Sequence, residues 1–117
     1  MTSLAWSPDS TRIASGSYDN TVQVWNASDG SHVYTYNGHT NEVYDVAWSP
    51  DGKRIASCDM DGFVQVWDAA DGGNTYTYRG HATSILSIVS SVAWSSDSKR
   101  IASGGLDKTV QVWGAGL

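Results

Sequence analysis

Residues 43–68 of this 117-residue chain carry a regular strand pattern, and they read VYDVAWSPDGKRIASCDMDGFVQVWD. Apolar and polar residues alternate there with a period of two, which is the period of a β-strand. Ser-Pro-Asp-Gly at 49–52 is a strong turn sequence. We therefore predict four short strands, at 43–48, 54–57, 63–67 and 75–79, joined by tight turns.

The same unit is written almost three times along the chain. Ala-Trp-Ser recurs at Trp6, Trp48 and Trp94, spaced by 42 and then 46 residues, and Val-Gln-Val-Trp recurs with the same spacings. Residues 4–39 laid on 46–81 are identical at 22 of 36 positions. Four strands in each unit describe a small antiparallel meander, and no segment has helical periodicity, so we predict an all-β fold.

Composition places the chain among ordinary globular domains and excludes several classes of function. The 7 basic and 12 acidic residues give a net charge of −5, which argues against a nucleic-acid-binding protein. A single cysteine, Cys58, cannot form an internal disulfide. No apolar run is long enough to cross a membrane and no secretory signal opens the sequence, so we expect a cytoplasmic protein without a membrane partner.

One four-stranded sheet of this kind has two apolar faces and cannot bury both by itself. Stacked neighbours would cover those faces, and the six tryptophans suit such sheet-on-sheet packing because each buries a large area. We therefore interpret the tryptophan excess as a core that lies between sheets.

The recurring motifs resemble WD repeats, the blades of β-propellers. They are Gly-His, Val-Ala-Trp-Ser-Pro-Asp-Gly, Ile-Ala-Ser, Asp-Gly and Val-Gln-Val-Trp-Asp, and they cover essentially the whole chain. Only Trp67-Asp68 is a literal Trp-Asp pair, because the other two units have Trp25-Asn26 and Trp113-Gly114.

The resemblance implies one blade at 2–37, a second at 38–79 and a third at 80–117 that lacks its outer strand. Eleven strands are fewer than the roughly 16 of a four-bladed propeller. An open arc would expose two aromatic faces and an unpaired edge, so we expect association, as a homodimer or homotrimer that closes a ring. A piece of a longer WD-repeat protein, and a partner that donates the missing strand, are the alternatives.

The resemblance also implies a structural hydrogen-bonded tetrad in each blade, although its residue types invite comparison with a Ser-His-Asp catalytic triad. The implied members are His39, Ser57, Asp61 and Trp67 in the second blade, His81, Ser103, Asp107 and Trp113 in the third, and Ser15, Asp19 and Trp25 in the first. A catalytic site in every repeat is improbable, so we predict no catalytic residue. Asp59 and Asp61 resemble the opening of a calcium loop but lack its later acidic ligands, so we predict a turn there, with no metal and no cofactor.

The resemblance names the four strands of a blade a to d, from the centre of the propeller to its rim. It implies a partner-binding face at the end where strand a begins and the turn between strands b and c emerges. The candidates are Tyr18, Glu42, Tyr44, Met60 and Leu106. Exposed Tyr, Met and Leu together are typical of an interaction hot spot.

The third unit carries four extra residues between His81 and Trp94, and several residues there are apolar. Either Ile85 or Val89 could match Val43 of the second unit. The insertion could lengthen strand a, form a bulge, contact a subunit, or be a tolerated loop.

These observations favour a non-enzymatic scaffold that self-associates and binds proteins or peptides. The alternatives are a purely structural or engineered self-assembling fragment and a fragment of a longer protein. An enzyme is disfavoured because no unique polar constellation stands out from the repeats.

Overall fold

The fold is all-β, as the sequence predicts. The computed structural model describes residues 3–81 and 88–115, and these residues form eleven strands with no helix long and apolar enough to cross a bilayer. The strands are β1 (Ser3–Trp6), β2 (Arg12–Gly16), β3 (Val22–Asn26), β4 (His32–Tyr36), β5 (Val43–Trp48), β6 (Arg54–Asp59), β7 (Val64–Asp68), β8 (Tyr76–Tyr78), β9 (Val89–Trp94), β10 (Arg100–Gly105) and β11 (Val110–Gly114).

The strands form three antiparallel meanders. The first sheet has the order β1-β2-β3-β4, the second β5-β6-β7-β8, and the third β9-β10-β11. β5 covers the predicted range 43–48, whereas β6 continues to Asp59, two residues beyond the predicted end at Ser57. The extension follows from the ladder with β5, in which Asp59 pairs with Val43 across a bulge.

The turns repeat as closely as the strands. Asn20, Gly62 and Lys108 hold equivalent positions after β2, β6 and β10, and their φ angles are 76°, 88° and 67°. Asn and Gly are the residues that adopt this left-handed region most readily. At the preceding turn of the first sheet, Asp9 accepts hydrogen bonds from the Ser7 hydroxyl at 2.7 Å and the Thr11 amide at 3.0 Å. The turns after β2, β6 and β10 therefore share a left-handed backbone position, although Asn, Gly and Lys occupy it.

Two apolar cores lie between the sheets, and they contain three of the six tryptophans, Trp48, Trp67 and Trp113, together with Tyr36. The core between the first and second sheets includes Val22, Val24 and Tyr36 on one side and Val46, Trp48, Ile55 and Trp67 on the other. The core between the second and third sheets includes Val64 and Val66 on one side and Val89, Val92, Ile101 and Trp113 on the other.

A polar contact is repeated at both of these junctions. The Trp48 indole donates from Nε1 to the Ala5 carbonyl oxygen of the preceding sheet at 3.1 Å. The Trp94 indole donates in the same way to the Ala47 carbonyl oxygen at 3.0 Å. Each inter-sheet junction thus combines an apolar face with one tryptophan hydrogen bond in a fixed register.

Asp45, which sequence reasoning did not single out, links all three sheets. Its Oδ1 accepts from the Ser3 hydroxyl of the first sheet at 2.9 Å, and its Oδ2 accepts from the Val92 amide of the third sheet at 3.1 Å. A carboxylate on the middle sheet is therefore hydrogen-bonded to both neighbours.

Val89 is the counterpart of Val43, which resolves the alternative left open by the sequence. Val89 opens β9 and pairs with Gly105, just as Val43 opens β5 and pairs with Asp59. Ile85 and Leu86 lie outside the described residues, so the role predicted for the insertion stays a prediction.

Candidate functional site

The second sheet contains a buried relay of four side chains. The His39 ring lies with Nδ1 2.6 Å from Asp59 Oδ2 and Nε2 2.5 Å from Ser57 Oγ. The Trp67 indole donates from Nε1 to the same Ser57 Oγ at 3.1 Å. His39, Ser57, Asp59 and Trp67 are all buried. The relay ties the loop before β5 to the interior of β6 and β7.

The direction of each hydrogen bond follows from the residue types. An indole N–H can only donate and a carboxylate can only accept. His39 therefore donates from Nδ1 to Asp59, and in the neutral imidazole Nε2 then accepts the Ser57 hydroxyl hydrogen. Every polar atom of the relay is satisfied in this arrangement, as buried polar groups require.

The acid in this relay is Asp59, and the sequence assignment of Asp61 is wrong. Asp59 lies inside the extended β6, and its Oδ1 also accepts the backbone amides of Asp61 at 3.0 Å and Phe63 at 3.1 Å. Asp61 lies in the turn, where its carboxylate accepts from the Thr40 hydroxyl and from Nδ2 of the Asn41 side chain, each at 3.0 Å. Because β6 extends to Asp59, the carboxylate of Asp59 lies beside His39, whereas Asp61 lies in the following turn.

In the relay of the third sheet the acid is Asp107, which is equivalent in the repeat to Asp61 and not to Asp59. His81 Nδ1 lies 2.7 Å from Asp107 Oδ2, and His81 Nε2 lies 2.9 Å from Ser103 Oγ. Trp113 donates to Ser103 at 3.0 Å. Hydrogen bonds from Thr109, and then from His81, lower the pKa of Asp107 to about 2.

Two sequence changes signal this difference between the sheets. Thr109 donates its hydroxyl to Asp107 at 2.7 Å, but the equivalent residue of the second unit is Phe63, which has no hydroxyl. The second unit instead has Asp59 where the third has Gly105. Loss of the threonine together with gain of an aspartate four residues before it is a pattern that could have identified Asp59.

The first sheet holds a shorter version of the relay. Trp25 donates to Ser15 Oγ at 3.1 Å. Asp19 accepts from the Thr21 hydroxyl at 2.6 Å and the Thr21 amide at 3.0 Å, and these bonds lower its pKa. In the alignment of the repeats, the corresponding histidine position precedes Met1.

The relay has the connectivity of a Ser-His-Asp triad but offers no reaction site in the described residues. Ser57 Oγ is enclosed and already accepts the Trp67 indole hydrogen, so a substrate carbonyl cannot approach it. No group of three or more His, Cys, Asp or Glu side chains within 3–81 and 88–115 could hold a metal ion. The geometry fits a buried polar network that fixes loop positions.

The second candidate is a surface formed by Tyr18, Glu42, Tyr44, Met60 and Leu106, which we call the turn surface. Tyr18, Met60 and Leu106 are exposed. The rings of Tyr18 and Tyr44 meet edge to face, with centroids 6.0 Å apart and an interplanar angle of 82°. Tyr18 comes from the first sheet and Tyr44 from the second, so this pair spans a sheet junction.

Backbone hydrogen bonds set the turns of this surface beside the start of the neighbouring strand. The Met60 amide donates to the Glu42 carbonyl oxygen at 3.0 Å, and the Leu106 amide donates to the Ile88 carbonyl oxygen at 3.0 Å. The Tyr44 hydroxyl donates to Glu42 Oε1 at 3.1 Å. Desolvation, and then the Glu42 carboxylate, raise the pKa of Tyr44. Tyr44 is half-buried against the second core, so only part of the turn surface is freely exposed.

Two four-stranded meanders and one three-stranded meander, stacked and carrying this relay, define the chain as a repeat protein built from β-propeller blades. The family model described as "WD domain, G-beta repeat" matches residues 1–26, 30–68 and 72–114, so the chain belongs to the WD40 repeat family. A 27-residue segment is 56% identical to Protein HIRA of Zea mays, and it covers 23% of this chain. The match spans only 3% of the length of that maize protein.

Proposed function

We propose that this chain is a non-enzymatic scaffold that binds a protein segment on the turn surface. WD repeats indicate a protein-interaction scaffold, and membership of that family supports the general role. The single observation that carries the finer proposal is the exposed set Tyr18, Met60 and Leu106 at equivalent turns of three sheets. Large apolar side chains repeated at turn tips are costly to expose and are typical of binding hot spots.

The charge around this surface favours a particular kind of partner. Asp19 and Glu42 lie next to the Tyr18–Tyr44 pair, and Asp61 lies beside Met60, while the whole chain carries a net charge of −5. An acidic rim around aromatic rings attracts basic side chains through both the carboxylates and the ring faces. We therefore expect a protein or peptide segment with basic and apolar residues, rather than a nucleic acid or a membrane.

The buried relay supports the non-enzymatic part of the proposal. It recurs in two sheets with different acids, and in both the serine oxygen is buried and hydrogen-bonded to tryptophan. A repeated and enclosed network is better suited to holding loops than to turning over substrate. A cytoplasmic location belongs to the same proposal, and the free, buried thiol of Cys58 is compatible with a reducing compartment.

Self-association into a closed ring is a second part of the proposal. It is favoured by large apolar side chains on both outermost sheet faces, with Leu4 and Trp6 on the first sheet and Val110 and Val112 on the third. Further repeats of a longer protein, or a partner that donates an outer strand beside β11, would cover the same surfaces.

Selection from a display library of random peptides tests the turn surface. We expect the selected peptides to be rich in Lys and Arg, to bind the unmodified chain, and to lose binding to the double variant Tyr18→Ser, Met60→Ser. The matched control is Tyr76→Ser, because Tyr76 is an exposed tyrosine on β8, away from the turn surface. Peptides that bind all three proteins equally, or bind none of them, would refute the assignment.

A further inference from the structure

The outer face of the third sheet is exposed, whereas the equivalent faces of the first and second sheets are each covered by the next sheet. Val110 and Val112 are 76% and 64% exposed. Their equivalents, Val22 and Val24 in the first sheet and Val64 and Val66 in the second, are 0% exposed because the next sheet covers them. The third sheet therefore presents the face on which another sheet of the same repeat would sit.

The outer face of the first sheet is the other half of the same contact. Leu4 and Trp6 are 59% and 61% exposed. Leu4 is equivalent to Val46 and Val92, and Trp6 is equivalent to Trp48 and Trp94, all of which pack against the preceding sheet. The first sheet therefore presents the face that the second and third sheets pack against their preceding sheet.

We infer that the outer face of the third sheet docks head to tail onto the outer face of the first sheet of a second copy, with Trp6 Nε1 of that copy donating to the Ala93 carbonyl oxygen. This inference rests on the self-association part of the proposed function. Trp48 makes this bond to Ala5, and Trp94 makes it to Ala47, so the repeat fixes the register of the contact. Ala93 holds the position of Ala5 and Ala47 and is exposed.

Head-to-tail docking follows because the two faces differ and are not self-complementary. The inter-sheet contact always joins the valines of one sheet to the tryptophan-bearing strand of the next, as in both internal cores. Two first sheets facing each other would bring two indole donors together without the alanine carbonyl that accepts them. The contact is therefore heterologous, and repeated addition with the same rotation either closes a ring or extends a filament.

The junction between copies lacks two polar contacts that occur at internal junctions. The described third sheet has no outer strand to supply a tyrosine hydroxyl, as Tyr36 and Tyr78 do for the next sheet, and it has no aspartate at the position of Asp45. Asp45 accepts the Val92 amide hydrogen of the next sheet, but the third sheet has Ser91 at the position of Asp45. The carboxylate bridge therefore cannot form between copies. Apolar burial and the Trp6 hydrogen bond must carry the contact, and the free energy of docking should depend strongly on single face residues.

Light scattering on variants of each face tests this inference. We expect the unmodified 117-residue chain to have the mass of two or more copies. Val112→Glu and Leu4→Glu each block one face and should each give a monomer. An equimolar mixture of the two should recover a 1:1 complex, because the first has an intact first-sheet face and the second an intact third-sheet face. Leu106→Glu is the matched control, since it places the same charge on an exposed leucine of the turn surface and should leave the mass unchanged.

Each outcome has a definite meaning. A monomeric unmodified chain at its highest soluble concentration, an assembly that survives either single variant, or a mixture that stays monomeric would overturn the inference. Near-ultraviolet circular dichroism of the tryptophans checks folding, and Val112→Ser and Leu4→Ser replace the glutamate variants if either fails to fold. Peptide binding separates the two proposals, because the double variant Tyr18→Ser, Met60→Ser should lose peptide binding and keep the mass of the assembly, while Val112→Glu should lose the assembly and keep peptide binding.

A separate variant tests the hydrogen bond from Trp6 to Ala93 that would fix the register between two copies. Trp6→Phe keeps the apolar ring but removes the Nε1 hydrogen, so the dissociation constant of the assembly should rise by roughly fivefold, the size expected for one hydrogen bond of about 1 kcal/mol. An unchanged dissociation constant would show that the Ala93 carbonyl is not the acceptor and would overturn the stated contact.

Discussion

The phenol ring of Tyr36 lies flat on the indole of Trp67, with ring centroids 4.2 Å apart and an interplanar angle of 4°. Tyr78 and Trp113 repeat the arrangement at the next junction, with 4.2 Å and 3°. In each case the outer strand of one sheet supplies the tyrosine and the following sheet supplies the tryptophan. The hydroxyl of Tyr36 also donates to Gln65 of the second sheet. The stack therefore joins neighbouring sheets at their outer edge.

Replacement of Tyr36 tests this stack. Tyr36→Leu should lower the free energy of unfolding by about 1–3 kcal/mol, because it removes the aromatic pair and leaves the Gln65 oxygen without its donor. Urea unfolding followed by tryptophan fluorescence measures the change. Tyr76→Leu, at a more exposed tyrosine on β8 that makes only a tilted ring contact with Trp113 at 6.0 Å, should cost less than Tyr36→Leu, about 0.5 kcal/mol. Equal effects of the two substitutions would contradict an inter-sheet role for Tyr36.

Paired aspartate substitutions test which carboxylate completes the relay of the second sheet. Asp59→Asn places an amide N–H₂ or an uncharged oxygen against the His39 Nδ1 hydrogen and should cost roughly 1.5–3 kcal/mol, as for hydrogen bonds to charged groups. Asp61→Asn should cost about 1 kcal/mol or less, because its partners Thr40 and Asn41 are not fully buried. Chemical denaturation of both variants measures the difference. A larger loss for Asp61→Asn would restore the original sequence assignment.

Acid should destabilise the chain through two carboxylates in particular. Hydrogen bonds from the Thr11 side chain and then Ser7 lower the pKa of Asp9 to about 2, and hydrogen bonds from Thr109 and then His81 lower that of Asp107 to about 2, from an ordinary value of 3.8. A lowered folded-state pKa stabilises the fold above the ordinary pKa, and that contribution is lost as pH falls. We expect the urea midpoint to decrease as the pH falls from about 4 to about 2.

Threonine variants provide the control for this pH dependence. Thr11→Val and Thr109→Val remove the largest cause of each lowered pKa, so the double variant should lose less stability between these pH values than the unmodified chain does. Identical pH profiles for the two proteins would show that these hydroxyls do not hold the carboxylates in their charged form.

Cys58 should be unreactive while the chain is folded. It lies in β6 with no exposed surface, and desolvation raises the pKa of its thiol because burial disfavours the thiolate. A disulfide reagent such as Ellman's reagent should therefore react with it only in denaturant, and the denatured chain serves as the reference rate. Reaction of the native chain at the denatured rate would mean that β6 is open in solution.

Much of the fold is predictable because its signals are local. The alternation in 43–48 and the Ser-Pro-Asp-Gly turn fix β5 and its hairpin within a few residues, and each repeat supplies the same signals again. The serine and tryptophan of each relay are predictable for the same reason, since they occupy matching positions on paired strands. Ser57 and Trp67 lie on paired strands β6 and β7 and meet through the ladder.

The relay acid of the second sheet was not assigned correctly from sequence, because two carboxylates satisfied the same local pattern, whereas Asp107 of the third sheet contacts His81 as expected. Asp59 and Asp61 have the same parity along the strand, so periodicity cannot choose between them. The choice depends on where β6 ends and on the bulge opposite Val43, which are properties of the paired strands. The bridging role of Asp45 was not predictable from sequence for a related reason, because its partners Ser3 and Val92 belong to other sheets.

The sequence by itself determined the repeat, the strand positions and the all-β class, since these follow from periodicity and turn chemistry within about 42 residues. Only the tertiary structure decided which aspartate meets His39, which carboxylate bridges three sheets, and which apolar faces remain open. Those outcomes depend on contacts between residues far apart in the chain, whose geometry is set when sheets stack and a buried polar group takes the partner within reach.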